Sequence, residues 1–216
     1  MLGNKNKNVS EKTVGRLSVY RRTLSRLHKE DGTDNTYSHV LAAMAGVTPA
    51  QFRRDIMAIG YTGSPTRGYK VESLLQQIDS FLNAGCHQHV ALVGAGNLGR
   101  AVMAYLVGRR PSLEIVAAFD KDPHKHGRVI AGCRTYNITE LATIFSEQEI
   151  SIGIIAVPGL AAQVVTDDMA AAGATGILNF APVSLRVPPS VYVENIDLMQ
   201  ALEKVAYFAQ QSTSGQ

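Results

Sequence analysis

The clearest chemical motif in the chain is a glycine-spaced run, Gly94-Ala95-Gly96-Asn97-Leu98-Gly99. It follows the apolar run 90–93 and precedes a helical pattern, which is the setting in which such glycines bind the pyrophosphate of a dinucleotide. Gly94 permits a tight turn, Gly96 lets the backbone approach the pyrophosphate, and Gly99 lets the helix pack on the strand. The unpaired N–H groups at the start of that helix attract phosphate. The motif therefore predicts a dinucleotide site.

An acidic residue stands where the second strand of a dinucleotide-binding fold ends. Asp120 follows the apolar run 115–119, about twenty residues beyond the glycine motif, where an acid binds the adenosine ribose hydroxyls. A carboxylate here disfavours a 2′-phosphate, so we predict NAD(H) rather than NADP(H) as the cofactor. Lys121 and Arg128 are close in the sequence, so the preference is not absolute.

Further candidates for cofactor contact follow later apolar runs. Val157-Pro158 and Asn179-Phe180 each come at the end of such a run and are expected at the carboxyl edge of the sheet, beside the crevice. A structural role for either turn is as well supported as direct contact. Tyr105 lies on the helix that follows the glycine motif, where it either faces the crevice or packs within the fold.

Side chains suited to nucleic acid lie on a predicted helix near the front of the chain, residues 49–59. Gln51, Arg53 and Arg54 are of the types that read base edges or bind phosphates in a major groove. Arg67 is expected near the tip of a hairpin, where an arginine can enter a minor groove. The alternative for Arg53-Arg54 taken alone is a solvated helix face.

The distribution of charge agrees with an anionic partner for the front of the chain. Residues 1–85 hold 12 Lys and Arg against 7 Asp and Glu, a net of +5, whereas residues 86–216 hold 9 against 11, a net of −2. Such asymmetry indicates that the front half meets an anion such as DNA. Taken alone, this difference in net charge is also explained by ordinary variation of surface residues.

The elements that position the basic residues follow from apolar spacing and turn residues. Helical intervals between apolar side chains predict three helices and a later linking helix, at about 14–30, 38–45, 49–59 and 74–82. The third has the clearest start, because Thr48 is a helix cap, Pro49 takes the first helical position, and Gln51 completes a capping box. Turn formers between β-prone residues over 61–71 predict a hairpin. Three helices and then a hairpin indicate a winged helix-turn-helix.

The back of the chain has a different periodicity. Continuous apolar runs predict strands buried on both faces at 90–93, 115–119, 152–157, 176–180 and 191–193, with helices between them at 98–107, 138–148 and 160–172. Strands alternating with helices form right-handed βαβ units around a parallel sheet. The predicted fold is α/β: a winged-helix domain over 1–85, a Rossmann domain over 86–195, and a C-terminal helix with a tail over 196–216.

Composition excludes several other classes of protein. No apolar run approaches the roughly 18 residues of a membrane helix, and the polar start has no signal-peptide segment, so a cytoplasmic protein is expected. The two cysteines, Cys86 and Cys133, lack metal-ligand spacing, so no metal site is expected and a redox-sensing disulfide is the minor alternative. None of the six histidines falls on the later crevice loops. With no room for a substrate domain, these features argue against a dehydrogenase.

Several segments together resemble the Rex family of redox-sensing transcriptional repressors. The resemblance extends over roughly 16–208 and is carried by the glycine motif and by these segments: Phe119-Asp120 with Asp122-Pro123, Gly176-Ile177-Leu178-Asn179-Phe180-Ala181-Pro182-Val183, Glu194-Asn195-Ile196-Asp197, Arg16-Leu17, Tyr20, Ala50-Gln51 and Arg53-Arg54-Asp55. Many dinucleotide-binding proteins share the first of these, but few share all of them in this order.

The resemblance implies a homodimer that exchanges its C-terminal helix, binds an inverted-repeat operator when NADH is scarce, and releases it when NADH rises. It implies that Arg16 contributes to DNA contact. It also implies that Tyr105 and Asp197 form a network with Arg22 of the partner subunit that is tied to the DNA-binding state. The expected function is therefore repression of transcription in response to the NADH/NAD+ ratio, without catalysis.

Two departures from the family leave the operator sequence open. The recognition helix reads Arg53-Arg54-Asp55-Ile56-Met57 where the family usually has Arg-Lys-Asp-Leu-Ser, and the two cations are not interchangeable at a base-reading position. The wing reads Pro65-Thr66-Arg67-Gly68-Tyr69 instead of Arg-Gly-Val-Gly-Tyr. A small NAD-dependent oxidoreductase and a CoA-binding module are the alternatives, although Asp120 argues against CoA because it suits an unphosphorylated ribose.

Overall fold

The computed structural model describes residues 9–29, 32–83 and 87–213, which fall into two compact units, 1–86 and 87–216. The described residues of the first unit form four helices and two short strands: α1 (Glu11–Lys29), β1 (Asn35–Thr36), α2 (Ser38–Met44), α3 (Pro49–Ala58), β2 (Tyr69–Lys70) and α4 (Val71–Asn83). The predicted helices of this unit agree with these bounds to within about one turn.

A small apolar core holds the first unit together. Leu17, Tyr20 and Leu24 on α1 are fully buried against Phe52 and Ile56 of α3. The ring of Tyr20 meets the ring of Phe52 edge to face, with 4.8 Å between centroids, an arrangement that suits aromatic quadrupoles. The stripe that the sequence predicted on α1 is therefore the face that this helix buries in the core, against α4 as well as α3.

The wing differs from the predicted hairpin. Within residues 61–71, only a bridge between Ser64 and Gly68 closes the turn, and β2 pairs antiparallel with β1, placing Thr36 opposite Tyr69. Residues 35 and 36 lie between the predicted helices 14–30 and 38–45, and a two-residue strand has too short a pattern to be recognised from the sequence. Gly68 has a φ of +69°, and a Cβ there would overlap the carbonyl oxygen of Thr36, so glycine is required where β1 passes the wing.

The second unit is built on one sheet. Its elements are β3 (Gln88–Val93), α5 (Asn97–Leu106), β4 (Leu113–Asp120), β5 (Val129–Ile130), β6 (Cys133–Asn137), α6 (Leu141–Glu147), β7 (Ile150–Ile155), α7 (Gly159–Ala171), β8 (Gly176–Asn179), β9 (Tyr192–Asn195) and α8 (Leu198–Thr213). The strand order is β5-β6-β4-β3-β7-β8-β9, parallel except for β5. The order reverses between β3 and β7, which creates a crevice at the carboxyl ends of these strands.

Two strands of this sheet were absent from the sequence prediction. The β5–β6 hairpin turns at Ala131 and Gly132, both with positive φ (49° and 83°). Cys133 and Thr135 are buried while Arg134 between them is exposed, which is the alternation of a strand with one solvated face. A strand with one solvated face has no continuous apolar run, so the apolar pattern did not predict β5 and β6, although Gly132 marks the turn between them.

Candidate functional site

A cavity of about 380 Å³ lies in the second unit at the carboxyl ends of β3, β4 and β7. Five residues predicted to bind cofactor line it: Gly94, Gly96, Asp120, Val157 and Pro158. Its other walls come from residues that the sequence analysis had not assigned to the site, among them Lys125, Ile138, Leu160 and Val165. This is the position at which open parallel sheets bind their ligands.

The three glycines of the motif meet three different requirements. Gly94 has a φ of +102°, and a Cβ there would overlap the carbonyl oxygen of Ala156 at the end of β7. A Cβ on Gly99 would overlap the carbonyl oxygen of Gly94, so this glycine allows α5 to lie against the loop. No atom of the described chain comes within 4 Å of a Cβ on Gly96. Because Gly96 lines the cavity, this open space leaves room for a pyrophosphate beside its backbone.

The first turn of α5 faces the same crevice. Gly96 is the N-cap and has no side chain to satisfy the orphan N–H groups of the turn, so these remain for an anion. Asn97 and Leu98, both exposed, stand on this turn, and the Asn97 amide oxygen accepts a 2.7 Å hydrogen bond from Arg100. Ala95 is buried, and only its N–H group takes part in the site.

Asp120 ties the end of β4 to the glycine loop. Its Oδ2 accepts hydrogen bonds from the Ala95 N–H at 2.9 Å and from the Lys125 ammonium at 2.8 Å, and its Oδ1 accepts one from the Asp122 N–H at 2.9 Å. Burial alone would raise the pKa of Asp120, but the Lys125 ammonium and the two N–H groups outweigh it and hold that pKa below its usual value. A carboxylate has about four acceptor positions, so one remains for a ribose hydroxyl.

The Asn179-Phe180 turn, at the carboxyl end of β8, is held in place by buried side chains. The Asn179 side chain, 1% exposed, donates to the Val183 carbonyl at 3.0 Å and to the Asn195 side chain at 2.8 Å, while its oxygen accepts from the Ala181 N–H. Phe180 packs on the core between α5 and the sheet. The structure thus gives the side chains of both residues a structural role, and contact with a cofactor stays a prediction for them.

The residues of the implied switch lie apart from the cavity lining. Tyr105 on α5 is 61% exposed, and the Arg109 guanidinium lies 4.1 Å from its ring centroid. Asp197 caps α8, because its Oδ1 accepts a 2.8 Å hydrogen bond from the Gln200 N–H. Arg22 is exposed on α1 in the other unit. All three side chains are accessible on their own units.

The predicted DNA-reading helix is α3, and it begins at Thr48 and Pro49 as predicted. The predicted capping box does not form, because the Gln51 side chain donates to Asp55 at 2.8 Å instead of reaching back to Thr48. The Thr48 hydroxyl accepts a 3.1 Å hydrogen bond from the Gln51 N–H, with Pro49 in the first turn. Arg53 and Arg54 are both exposed. Arg53 donates to the Ser38 hydroxyl at 3.1 Å, which links α3 to α2. Arg67 is exposed in the wing, as expected of a groove-contacting residue, but its contact with DNA stays a prediction.

Arg16, predicted to contact DNA, is bound to a buried carboxylate, and its contact with DNA stays a prediction. Its guanidinium donates to both oxygens of Asp55, at 2.6 and 2.7 Å, and the Tyr20 hydroxyl donates to the same group at 2.8 Å. Asp55 is 3% exposed. Its burial would raise its pKa, but these donors and Gln51 together lower it. Sequence reasoning missed this link because the partners are 35–39 residues apart.

Thiol chemistry is unfavourable at the one cysteine that the structure describes. Cys133 is 3% exposed, and burial raises the pKa of its thiol to about 11. The reactive thiolate is therefore scarce at neutral pH. Cys86 lies outside the described residues. Within the part of the chain that the structure describes, no helix combines the length and apolarity needed to span a membrane.

Known families match both units separately. Residues 8–56 match the family described as "Putative DNA-binding protein N-terminus", and residues 87–183 match the family described as "CoA binding domain". The redox-sensing transcriptional repressor Rex of Lactobacillus acidophilus is 39% identical over 200 residues, which cover 93% of this chain and 94% of that protein.

Solved structures match the whole chain as well. The crystal structure of RSP in complex with β-NAD+ and operator DNA is similar with a TM-score of 0.88 at 30% identity, covering 96% of this chain and 95% of that chain. RSP in complex with β-NADH matches with a TM-score of 0.85 at 30% identity, covering 96% and 97%. The similarity therefore extends over the basic first unit and the cofactor crevice together.

Proposed function

The chain belongs to the Rex family of redox-sensing transcriptional repressors, and from this premise we propose that it is an NADH-responsive repressor. It binds double-stranded operator DNA as a homodimer when NADH is scarce and releases the DNA when NADH binds. It is a regulator rather than an enzyme, although it shares the NAD-binding fold of dehydrogenases. A repressor acts on the chromosome, so we place it in the cytoplasm.

One observation carries this proposal: an open glycine loop suited to a pyrophosphate and a basic helix suited to DNA occur in the same chain. The space at Gly96 and the free first turn of α5 suit a pyrophosphate. The exposed Arg53 and Arg54 on the capped helix α3 suit a major groove. RSP, which is similar over 96% of this chain, is known with NADH and with NAD+ and operator DNA.

The dimer supplies the route from cofactor to DNA in this proposal. The apolar face of α8 is exposed within one chain, with Leu202 at 60%, Val205 at 65% and Phe208 at 62%, and an exchanged α8 would bury that face on the partner subunit. Tyr105 and Asp197 would then meet Arg22 of the partner subunit. An Asp–Arg pair depends steeply on distance and water exclusion, so a small rotation makes or breaks it.

Gel shifts test the proposal directly. The probe is the DNA immediately upstream of the gene for this chain, titrated with NADH and, separately, with NAD+. We expect a specific complex that NADH dissociates at concentrations where NAD+ leaves it intact. The variant Arg53→Ala/Arg54→Ala is expected to lose the specific complex and to keep NADH binding. A wild-type complex that is insensitive to NADH, or the absence of any specific complex, overturns the proposal.

A CoA-binding role is the second candidate, because residues 87–183 match a CoA binding domain family. The 3′-phosphate of CoA would approach the carboxylate of Asp120, although Lys125 neutralises part of that charge. A ligand that binds only the folded state raises the melting temperature, and at a given concentration a tighter ligand raises it more. We expect NADH to raise the melting temperature and CoA to leave it unchanged, and the reverse result would favour the CoA-binding role.

A further inference from the structure

The buried carboxylate of Asp55 also determines how α3 presents its reading side chains. Asp55 is held from α1 by three hydrogen bonds, two from Arg16 and one from Tyr20, all of 2.6–2.8 Å. Its Oδ1 accepts one more bond, from Gln51 Nε2 at 2.8 Å, and Gln51 lies one turn before it on α3. The hydrogen bonds that hold Asp55 from α1 thus continue to Gln51, one of the side chains predicted to read bases.

This contact fixes which way the Gln51 amide points. A carboxylate only accepts and a guanidinium only donates, so the amide must turn its nitrogen toward Asp55 and its oxygen toward Arg54. Arg54 donates to that oxygen at 2.9 Å. One N–H and one lone pair of the amide remain. In the major groove these can pair with adenine, the N–H donating to N7 and the oxygen accepting from the N6 amino group. Arg54 keeps donors for guanine or phosphate.

We propose that Asp55 is a positioning residue for operator reading, which acts through Gln51 on Arg54. The relay of hydrogen bonds, Asp55 to Gln51 to Arg54, holds both reading side chains in one arrangement before DNA arrives. Preorganised side chains lose less conformational entropy on binding, so they discriminate better between base pairs. The proposal rests on the proposed function, since it requires that α3 reads bases.

Two substitutions break the relay without changing Arg54. Asp55→Asn keeps the size of the side chain but offers an NH2 group, so the Gln51 amide is no longer forced into one orientation. Gln51→Met keeps a long unbranched side chain that bonds neither Asp55 nor Arg54, and it leaves the buried anchor intact. Tyr20→Phe is the matched control, because it removes a bond to the other oxygen of Asp55 and leaves the relay alone.

The probe is the duplex that the wild-type chain selects from a pool of random-sequence double-stranded DNA, together with its single-base-pair variants. The base pair at which Arg54→Ala loses preference defines the contact of Arg54. There we expect Asp55→Asn and Gln51→Met to lose about 5- to 150-fold in discrimination, the range for one bidentate contact. Tyr20→Phe should keep it, and affinity for unrelated DNA should change little in any variant.

Each outcome bears on the inference or on its premise. Full preference in Asp55→Asn and Gln51→Met overturns the relay, as does an equal loss in Tyr20→Phe, which would indicate a packing effect. The absence of any preferred base pair for Arg54 overturns it too. If Asp55→Asn unfolds at the assay temperature, Gln51→Met alone decides. A wild-type chain that selects no sequence refutes the proposed function instead.

Discussion

At the residue scale, Asp120 combines an internal and an external task. Its carboxylate accepts three hydrogen bonds from within the chain and retains about one acceptor position, and Asp120 lines the cavity. The sequence predicted the external task, contact with the ribose. The internal one, anchoring the Ala95 N–H, explains why the glycine loop keeps its shape beside β4.

We expect Asp120→Ala to weaken NADH binding by about 10- to 100-fold, the usual value of a hydrogen bond to a charged group. Binding of NADPH should fall less, because the same change removes repulsion of the 2′-phosphate, so the gap between the two cofactors narrows. Titration calorimetry with both cofactors measures this. Asp122→Ala is the control, because that side chain caps the short turn at His124 instead. Wild-type NADH affinity in Asp120→Ala would refute the ribose contact.

Cys133 is expected to take no part in redox sensing. Its burial and its raised pKa of about 11 leave little thiolate at neutral pH, and labelling should rise only as the pH approaches that value or the fold opens. Iodoacetamide should therefore label this cysteine in denatured protein and spare it in folded protein at pH 7, as read by mass spectrometry. Rapid labelling of Cys133 in the folded chain would contradict this prediction.

At the element scale, α8 leaves its apolar side chains exposed within one chain. The side chains of Leu198, Leu202, Val205 and Phe208 are 60–65% exposed, an apolar stripe that needs a partner surface. The sequence left two choices for this stripe, packing on its own domain or exchange between subunits. The large exposure within one chain favours exchange.

A chain that ends at Asn195 should sediment as a monomer, whereas the full chain should sediment as a dimer. Removal of α8 takes away the apolar area whose burial on the partner subunit favours association. Sedimentation velocity at matched concentrations makes the comparison. The full-length variant Leu202→Asp/Val205→Asp is the control for loss of chain length, and it should dissociate as well. A tight dimer of the shortened chain would exclude the exchange.

At the scale of the whole molecule, NADH and DNA must be coupled through two states of the dimer. A ligand shifts such an equilibrium only if it binds the two states unequally, and the coupling is reciprocal. Typical coupling of about 1–3 kcal/mol changes DNA affinity about 5- to 150-fold. We place the contact that responds to NADH at Asp197. Its hydrogen bond to the Gln200 N–H offers a second, purely structural role for this residue, that of a helix cap.

Asp197→Ser separates these explanations, because serine caps a helix as well as aspartate does but carries no charge. We expect the variant to keep its melting temperature and its NADH affinity while NADH no longer releases DNA. A gel-shift titration with NADH, with Asp197→Ala as a variant that loses both cap and charge, measures the effect. Release at the wild-type NADH concentration would leave the cap as the only role of Asp197.

Features that depend on neighbours along the chain could be predicted from the amino-acid sequence. The glycine motif, the cap at Thr48 and the apolar runs each act over a few residues, so they predicted the cofactor loop, the start of α3 and most strands. The resemblance to the Rex family, built from the same local segments, is confirmed by relatives 37–40% identical over most of the chain.

Only the tertiary structure decided which distant groups meet. Arg16 contacts Asp55 across 39 residues, and Asn179 contacts Asn195 across 16, so no local pattern distinguishes these side chains from exposed polar ones. The pairing of β1 with β2 and the edge hairpin β5–β6 were not predicted for a related reason. Very short or half-solvated strands have a weak apolar pattern and form only where the chain returns beside them. Hydrogen bonds of buried polar groups are fixed by the packing that excludes water, which is a property of the folded chain.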